Sequence, residues 1–185
     1  MQEVLKEKRI RLFSTEEFRR VFSVNLWAAR TFIKNHTDDL FIKLRNGLYA
    51  IKSDPPSELE LANRLYFPSY ISFEYALAYY RIIPEVVYSI TSATTKITRE
   101  FKVKGKSYEY SRIKRRAYTG YRLIQEGQMK ILMATPEKAL VDYCYFADLK
   151  LKSLNDRLRV KKINQKEAFR YAHLFDRESL IKLLR

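Results

Sequence analysis

Residues 14–52, STEEFRRVFSVNLWAARTFIKNHTDDLFIKLRNGLYAIK, decide the fold of the first third of the chain. Ser14 and Glu17 have capping-box spacing, which satisfies amides at a helix start and predicts a helix over Thr15–Val21. Residues 22–24 read as a short turn, and a second helix follows from about residue 25 to residue 36. Two apolar-rich runs, 40–44 and Leu48–Ile51, then flank Arg45-Asn46-Gly47. Asn-Gly between such runs is the strongest short-range hairpin signal, because both central residues of a type I′ turn take positive φ. Two angled helices followed by a hairpin predict a winged helix-turn-helix, a layout that puts one helix in the DNA major groove.

At about 100° per residue, Leu26, Ala29, Phe32, Ile33 and His36 gather on one side of the second helix and are expected in the core. Trp27, Thr31, Lys34 and Asn35 gather on the other, with Arg30 at the edge. Arginine pairs with guanine, asparagine with adenine, and a threonine methyl touches thymine, so this face has base-reading chemistry. The candidate DNA-contacting residues are Arg19, Arg20, Asn25, Arg30, Thr31, Lys34 and Asn35, with Lys43, Arg45 and Asn46 at the hairpin. For Arg19 and Arg20 the competing reading is a solvated helix face. An outward tryptophan is unusual in DNA readout, and Trp27 is expected to pack against the hairpin or a second domain. His36 reads as a helix-end or core histidine.

The chain of 185 residues carries a formal net charge of +15. The excess is uneven: residues 96–130 hold 11 basic against 3 acidic side chains, whereas residues 54–95 are net acidic. A concentrated basic surface favours a polyanion partner through phosphate contacts and counterion release. The competing reading is a solvated, lysine-rich surface. Hydrophobic content of 46% argues against disorder. The sequence has no apolar run of membrane-spanning length, and Met1-Gln2-Glu3-Val4-Leu5-Lys6-Glu7 lacks the apolar stretch of a signal peptide. The expectation is a cytoplasmic protein with no membrane partner, in which the single cysteine, Cys144, is a core residue.

Asp54-Pro55-Pro56-Ser57 is the clearest boundary, since two prolines forbid continuing a strand. It divides a DNA-binding domain, 1–53, from a second domain, 57–185. In the second, Glu58–Leu65 reads as a helix with Leu59, Leu61, Ala62 and Leu65 apolar. Ser72 is placed to cap a helix over 73–80. Residues 86–91 read as a strand, and 101–110 and 121–133 as strands of an antiparallel sheet with Gly105 and Gly127 in turns. Thr135 and Pro136 open a helix running to about Ala147, burying Ala139, Leu140, Tyr143 and Phe146. Two last helices are expected near 164–174 and 176–184. The fold class is α+β: a winged helix-turn-helix followed by helices packed on a small antiparallel sheet.

The winged segment with Asn46-Gly47-Leu48-Tyr49-Ala50-Ile51 resembles the start of antitoxins of the abortive-infection AbiEi family. So do Tyr70-Ile71-Ser72 with Tyr75-Ala76-Leu77, residues 88–95, and residues 133–142 with their Ala134-Thr135-Pro136-Glu137-Lys138-Ala139-Leu140 core. The blocks keep the family's order over approximately residues 12–146. The resemblance implies a type IV toxin–antitoxin system. Its antitoxin represses its own operon, at double-stranded promoter DNA bearing inverted repeats, and counters a nucleotidyltransferase-like toxin without needing a stable complex. It also implies that the C-terminal domain carries antitoxicity. The chain departs from the pattern in its compact basic tail and in Tyr79-Tyr80-Arg81-Ile82, where many relatives have a His-Gly-Leu-like turn.

The four glycines provide no phosphate-cradling loop, and one cysteine with two separated histidines gives no metal-ligand spacing. No catalytic residue, metal or cofactor is expected. An alternative from another class is a metal-dependent nuclease, with Glu137, Lys138 and Asp142 around Mg²⁺. A third reading is an RNA-binding or protein-docking module. There, Tyr108, Tyr110, Tyr118 and Tyr121 interleave with Arg112, Lys114, Arg115, Arg116 and Arg122 in a mixture able to stack on bases and bind phosphates. Its competitor is a sheet whose alternate tyrosines face the core. Arg112, Lys114, Arg115 and Arg116 are the candidate additional basic surface.

Overall fold

A computed structural model describes residues 2–8, 10–127 and 129–185, and in it the expected capping box closes. The Ser14 hydroxyl accepts from the Glu17 amide at 3.1 Å, and the Glu17 carboxylate accepts from the Ser14 amide at 2.6 Å. The first unit, Met1–Leu65, begins with α1 (Gln2–Glu7) and β1 (Leu12–Ser14). The expected helix pair follows as α2 (Thr15–Val21) and α3 (Leu26–Asn35), then β2 (Phe41–Arg45), β3 (Leu48–Ile51) and α4 (Glu58–Leu65). The turn between α2 and α3 holds Ser23 at φ 51. Three antiparallel strands in the order β1-β3-β2 form the sheet. The three-residue β1 is too short to show a period, which is why the sequence pattern misses it.

Phe13 from β1, Phe18 from α2 and Phe41 from β2 bring their rings to 5.0–6.0 Å of one another. Leu5, Ala29, Ile33 and Ile51 complete this core. Large rings bring the most apolar area per residue into so small a unit. The hairpin forms where expected, but its turn is not type I′. Gly47 has positive φ while Asn46 does not, and the strand pairing slips by one residue between Lys43 and Arg45. A bulge on β2 thus takes up the twist that a mirror-image turn would supply.

The unit ends after Leu65, not at the double proline, so α4 belongs with the first unit. Arg64 donates to both carboxylate oxygens of Glu17 at 2.7 Å, and the Arg45 guanidinium donates to the Leu65 carbonyl at 2.8 Å. Prolines report where a strand stops; which unit the next helix joins depends on through-space partners such as these.

The second unit, Tyr66–Arg185, is built on a six-stranded sheet. Its strands are β4 (Ser69–Ile71), β5 (Ile90–Thr94), β6 (Arg99–Val103), β7 (Lys106–Arg112), β8 (Tyr121–Glu126) and β9 (Met129–Ala134). Four further helices are α5 (Phe73–Tyr79), α6 (Pro136–Asp148), α7 (Gln165–His173) and α8 (Glu178–Leu183). The fold class is α+β, but the sheet is mixed and larger than expected. In the order β6-β7-β5-β4-β9-β8, the pairs β5–β7 and β4–β9 run parallel and the others antiparallel. The hairpins at Gly105 and Gly127 are encoded locally, whereas pairing between strands distant in sequence leaves no turn signal.

Two other expectations are corrected. The strand expected over 86–91 begins only at Ile90, with Val86 78% and Tyr88 79% exposed. Its start is set by the slot between β4 and β7, where Ile90 lies opposite Tyr108. Ser72 precedes α5 but makes no side-chain cap; its hydroxyl donates instead to Asp142 at 2.8 Å. On α6, Thr135 caps the helix and Ala139, Leu140, Tyr143 and Phe146 are buried as expected. Cys144 is also buried, and burial pushes its thiol up to about 12.

Candidate nucleic-acid interface

Asn25 ends the α2–α3 turn and caps α3, its side-chain oxygen accepting from the Ala28 amide at 2.8 Å. This structural duty occupies one end of a side chain expected to contact DNA. Below it α3 divides into two faces. Ala29 and Ile33 are fully buried, and Phe32 packs against the same core. Leu26, expected in the core, is 38% exposed. His36 closes the helix, its ring stacked on Phe32 at 4.0 Å with Nδ1 2.9 Å from the Phe32 carbonyl. It is the helix-end histidine anticipated.

The opposite face is open. Arg30, Lys34 and Asn35 are exposed and Thr31 is half-buried. Trp27, expected against the hairpin or second domain, is 75% exposed and takes no part in the first unit's core. Trp27, Arg30, Thr31 and Lys34 lie at i, i+3, i+4 and i+7, so they form one stripe along the helix. Arg30, at the edge of this stripe as expected from the spacing, is exposed with it. The sequence signal for Trp27 was this spacing, overridden by the expectation that a large ring is covered.

The cations around the stripe fall into two groups. Arg19 is held by Glu16 through its Nε at 3.0 Å, and this hydrogen bond keeps the Glu16 carboxyl below the usual range. Arg20 lies 3.7 Å from the same carboxylate and is mostly exposed. Lys43 is exposed on β2, whereas Arg45 is committed to the Leu65 and Asn46 carbonyls, both at 2.8 Å. Of the basic residues expected to reach DNA, then, Arg19 and Arg45 are engaged in the unit's own architecture. Arg30, Lys34 and Lys43 have no such hydrogen bond or ion pair among the described residues. Asn46 is exposed at the hairpin tip and, with Arg30, lines a cleft of about 540 Å³ that also touches Ser14, Leu26, Gly47 and Tyr49.

The second unit's basic segment is similarly divided. Lys114 donates to the Phe175 carbonyl at 2.5 Å, and Arg116 is paired with Asp176. Both residues fasten this segment to the turn between α7 and α8. Arg112 and Arg115 are exposed, and with Thr95, Ile113, Lys114 and Tyr145 they line a cleft of about 600 Å³. Tyr108 and Tyr110 are buried in the sheet and Tyr118 and Tyr121 are half-buried beside Tyr70, so this set offers no open platform for stacked bases.

Glu137, Lys138 and Asp142 do not converge as metal ligands. Lys138 and Asp142 are sealed from solvent in an ion pair, while Glu137 accepts from the Asn164 amide at 3.3 Å. Among the described residues, no three or more His, Cys, Asp or Glu side chains form a cluster able to hold a metal ion. No helix among them is long and apolar enough to cross a membrane. The chain matches no protein-family model and no curated protein.

Proposed function

We propose that the first unit is a winged helix-turn-helix that binds double-stranded DNA, and that the chain represses its own promoter as the antitoxin of a type IV toxin–antitoxin operon. The observation that carries the DNA reading is the open stripe of α3, whose cations Arg30 and Lys34 have no side-chain hydrogen bond or ion pair among the described residues. The order of α2, α3 and the β2–β3 hairpin supports it, with Asn46 of the hairpin tip lining one cleft with Arg30 of the proposed recognition helix and Lys43 exposed on β2. Arg20, mostly exposed beside Glu16, can reach a flanking phosphate, and the second unit separately exposes Arg112 and Arg115 as cations able to meet phosphates. The antitoxin role is supported by the ordered blocks that resemble the AbiEi family, and the proposed functional partner is a nucleotidyltransferase-like toxin.

The test is titration of the full chain against a duplex of its own promoter over a range of salt. Roughly five neutralised phosphates give a log–log slope of about −4 to −5. Arg30→Ala and Lys34→Ala should each weaken binding about tenfold, a loss within the range of one base-reading contact, with unchanged far-UV circular dichroism. A slope near zero, with both variants binding like the parent, overturns the DNA reading. Co-expression with an adjacent nucleotidyltransferase-like gene tests antitoxicity separately: growth should be restored by the full chain, and failure to restore it removes the antitoxin role alone.

A further inference from the structure

Trp27 is the chain's only tryptophan, and it stands 75% exposed at the second position of α3. A ring of this size ordinarily brings a large apolar area into a core or an interface. Here it lies outside the first unit's core, and no ring stacking or cation contact engages it among the described residues. Its neighbours on the stripe are Arg30, Thr31 and Lys34. Lys34 lies seven residues, or about 10 Å, further along the helix. The surface that fits this stripe must therefore be apolar at one point and anionic around it.

The DNA major groove has that composition. On its base edges the one apolar group is the thymine 5-methyl, and phosphates line both rims. In helix-turn-helix proteins the first residues of the second helix meet the base edges. Trp27 occupies that end of α3, whereas Lys34 lies near its other end.

We infer that Trp27 is a thymine-reading residue, its ring packed on thymine 5-methyl groups while Arg30 and Lys34 hold the neighbouring polar and phosphate groups. This rests on the DNA-binding reading above and adds its base specificity.

The test compares two duplexes of the chain's own promoter, one with thymidine and one with deoxyuridine throughout. Deoxyuridine keeps every hydrogen-bonding group and lacks only the methyl. The full chain should bind the deoxyuridine duplex about five- to tenfold more weakly, within the cost of one mismatched base pair. Trp27→Ala should bind both duplexes equally, and Trp27→Phe should recover part of the preference. Tryptophan emission from the parent should also become protected from iodide when thymidine duplex is added. Equal affinity of the parent for both duplexes overturns the inference, as does a preference that persists in Trp27→Ala. So does iodide protection that follows protein concentration without DNA, which would assign the ring to a contact between copies. If DNA is bound and Lys34→Ala weakens it while thymidine and deoxyuridine are equivalent, only the thymine assignment falls. If neither duplex is bound, the DNA reading falls with it.

Discussion

Asp142 accepts a hydrogen bond from Lys138, one helical turn earlier on α6, and neither side chain reaches solvent. The other carboxylate oxygen accepts from the Tyr70 hydroxyl at 2.9 Å and from the Ser72 hydroxyl at 2.8 Å. Residues 70 and more positions away in sequence thus converge on one acceptor. Burial pushes Asp142 up and Lys138 down, against their mutual attraction. Burial also raises the Tyr70 hydroxyl well above its ordinary value, with the nearby Asp142 charge adding to it.

The two halves of this pair should differ in cost. Asp142→Ala leaves a buried ammonium and two hydroxyls without their acceptor, and should lose about 3–5 kcal/mol. Lys138→Met leaves a carboxylate that still accepts from Tyr70 and Ser72, and should lose less. Urea unfolding of both variants at neutral pH measures the difference. A larger loss for Lys138→Met would show that the hydroxyls do not hold the carboxylate.

Glu17 makes the first unit acid-sensitive. Burial raises its carboxyl, but hydrogen bonds from Arg64 and the Ser14 amide outweigh this and leave it below the usual range. Because the folded pKa is the lower one, its stabilisation is present above the unfolded pKa and is lost as pH falls through the folded value. The stability gap between the parent chain and Glu17→Gln should therefore be widest near neutrality and narrow as pH drops below about 4. Chemical denaturation across pH reads this gap, and a gap independent of pH would rule the linkage out.

Gly120 should tolerate alanine worse than Gly105, although both have positive φ. A Cβ at Gly120 would stand 2.7 Å from Tyr171 Cε1 and 3.0 Å from Lys138 Cγ, whereas at Gly105 it meets open space. Gly105→Ala should cost about 1–2 kcal/mol for the backbone alone. Gly120→Ala should cost roughly 1–3 kcal/mol more from overpacking. Thermal unfolding of the two variants decides it, and equal shifts would mean that Tyr171 moves aside freely.

A fragment ending at residue 65 should fold, and one ending at residue 53 should be clearly less stable. The shorter piece loses Arg64 from Glu17, the Leu65 carbonyl from Arg45, and the buried Leu59, Leu61, Ala62 and Leu65. Circular dichroism melts of the two fragments test this. Equal melting would return the boundary to the prolines at 55 and 56.

The features legible in the residues are those made by near neighbours along the chain. The Ser14–Glu17 capping box, the Thr135 cap with Pro136, and the turns at Gly47, Gly105 and Gly127 each depend on a few consecutive positions. The 3.6-residue period likewise separated Ala29 and Ile33 from Lys34 and Asn35 on α3. Turn type was less legible: Asn46-Gly47 marked the hairpin, but the bulge on β2 selected its geometry.

Partners across space were another matter. The parallel pairs β5–β7 and β4–β9 join strands with no common turn, so the sheet's mixed character arises only when the chain is folded. Ser72 had the residue type of a cap, and the carboxylate of Asp142 took its hydroxyl. The basic residues show the same division at the candidate interface. Residue type made Arg19, Arg45, Lys114 and Arg116 as eligible as Arg30 and Lys34. Glu16, the Leu65 carbonyl, the Phe175 carbonyl and Asp176 then engaged the first four. A charge and a hydrogen-bonding pattern are properties of one side chain, but whether either is left for a ligand depends on which groups folding brings within about 3 Å.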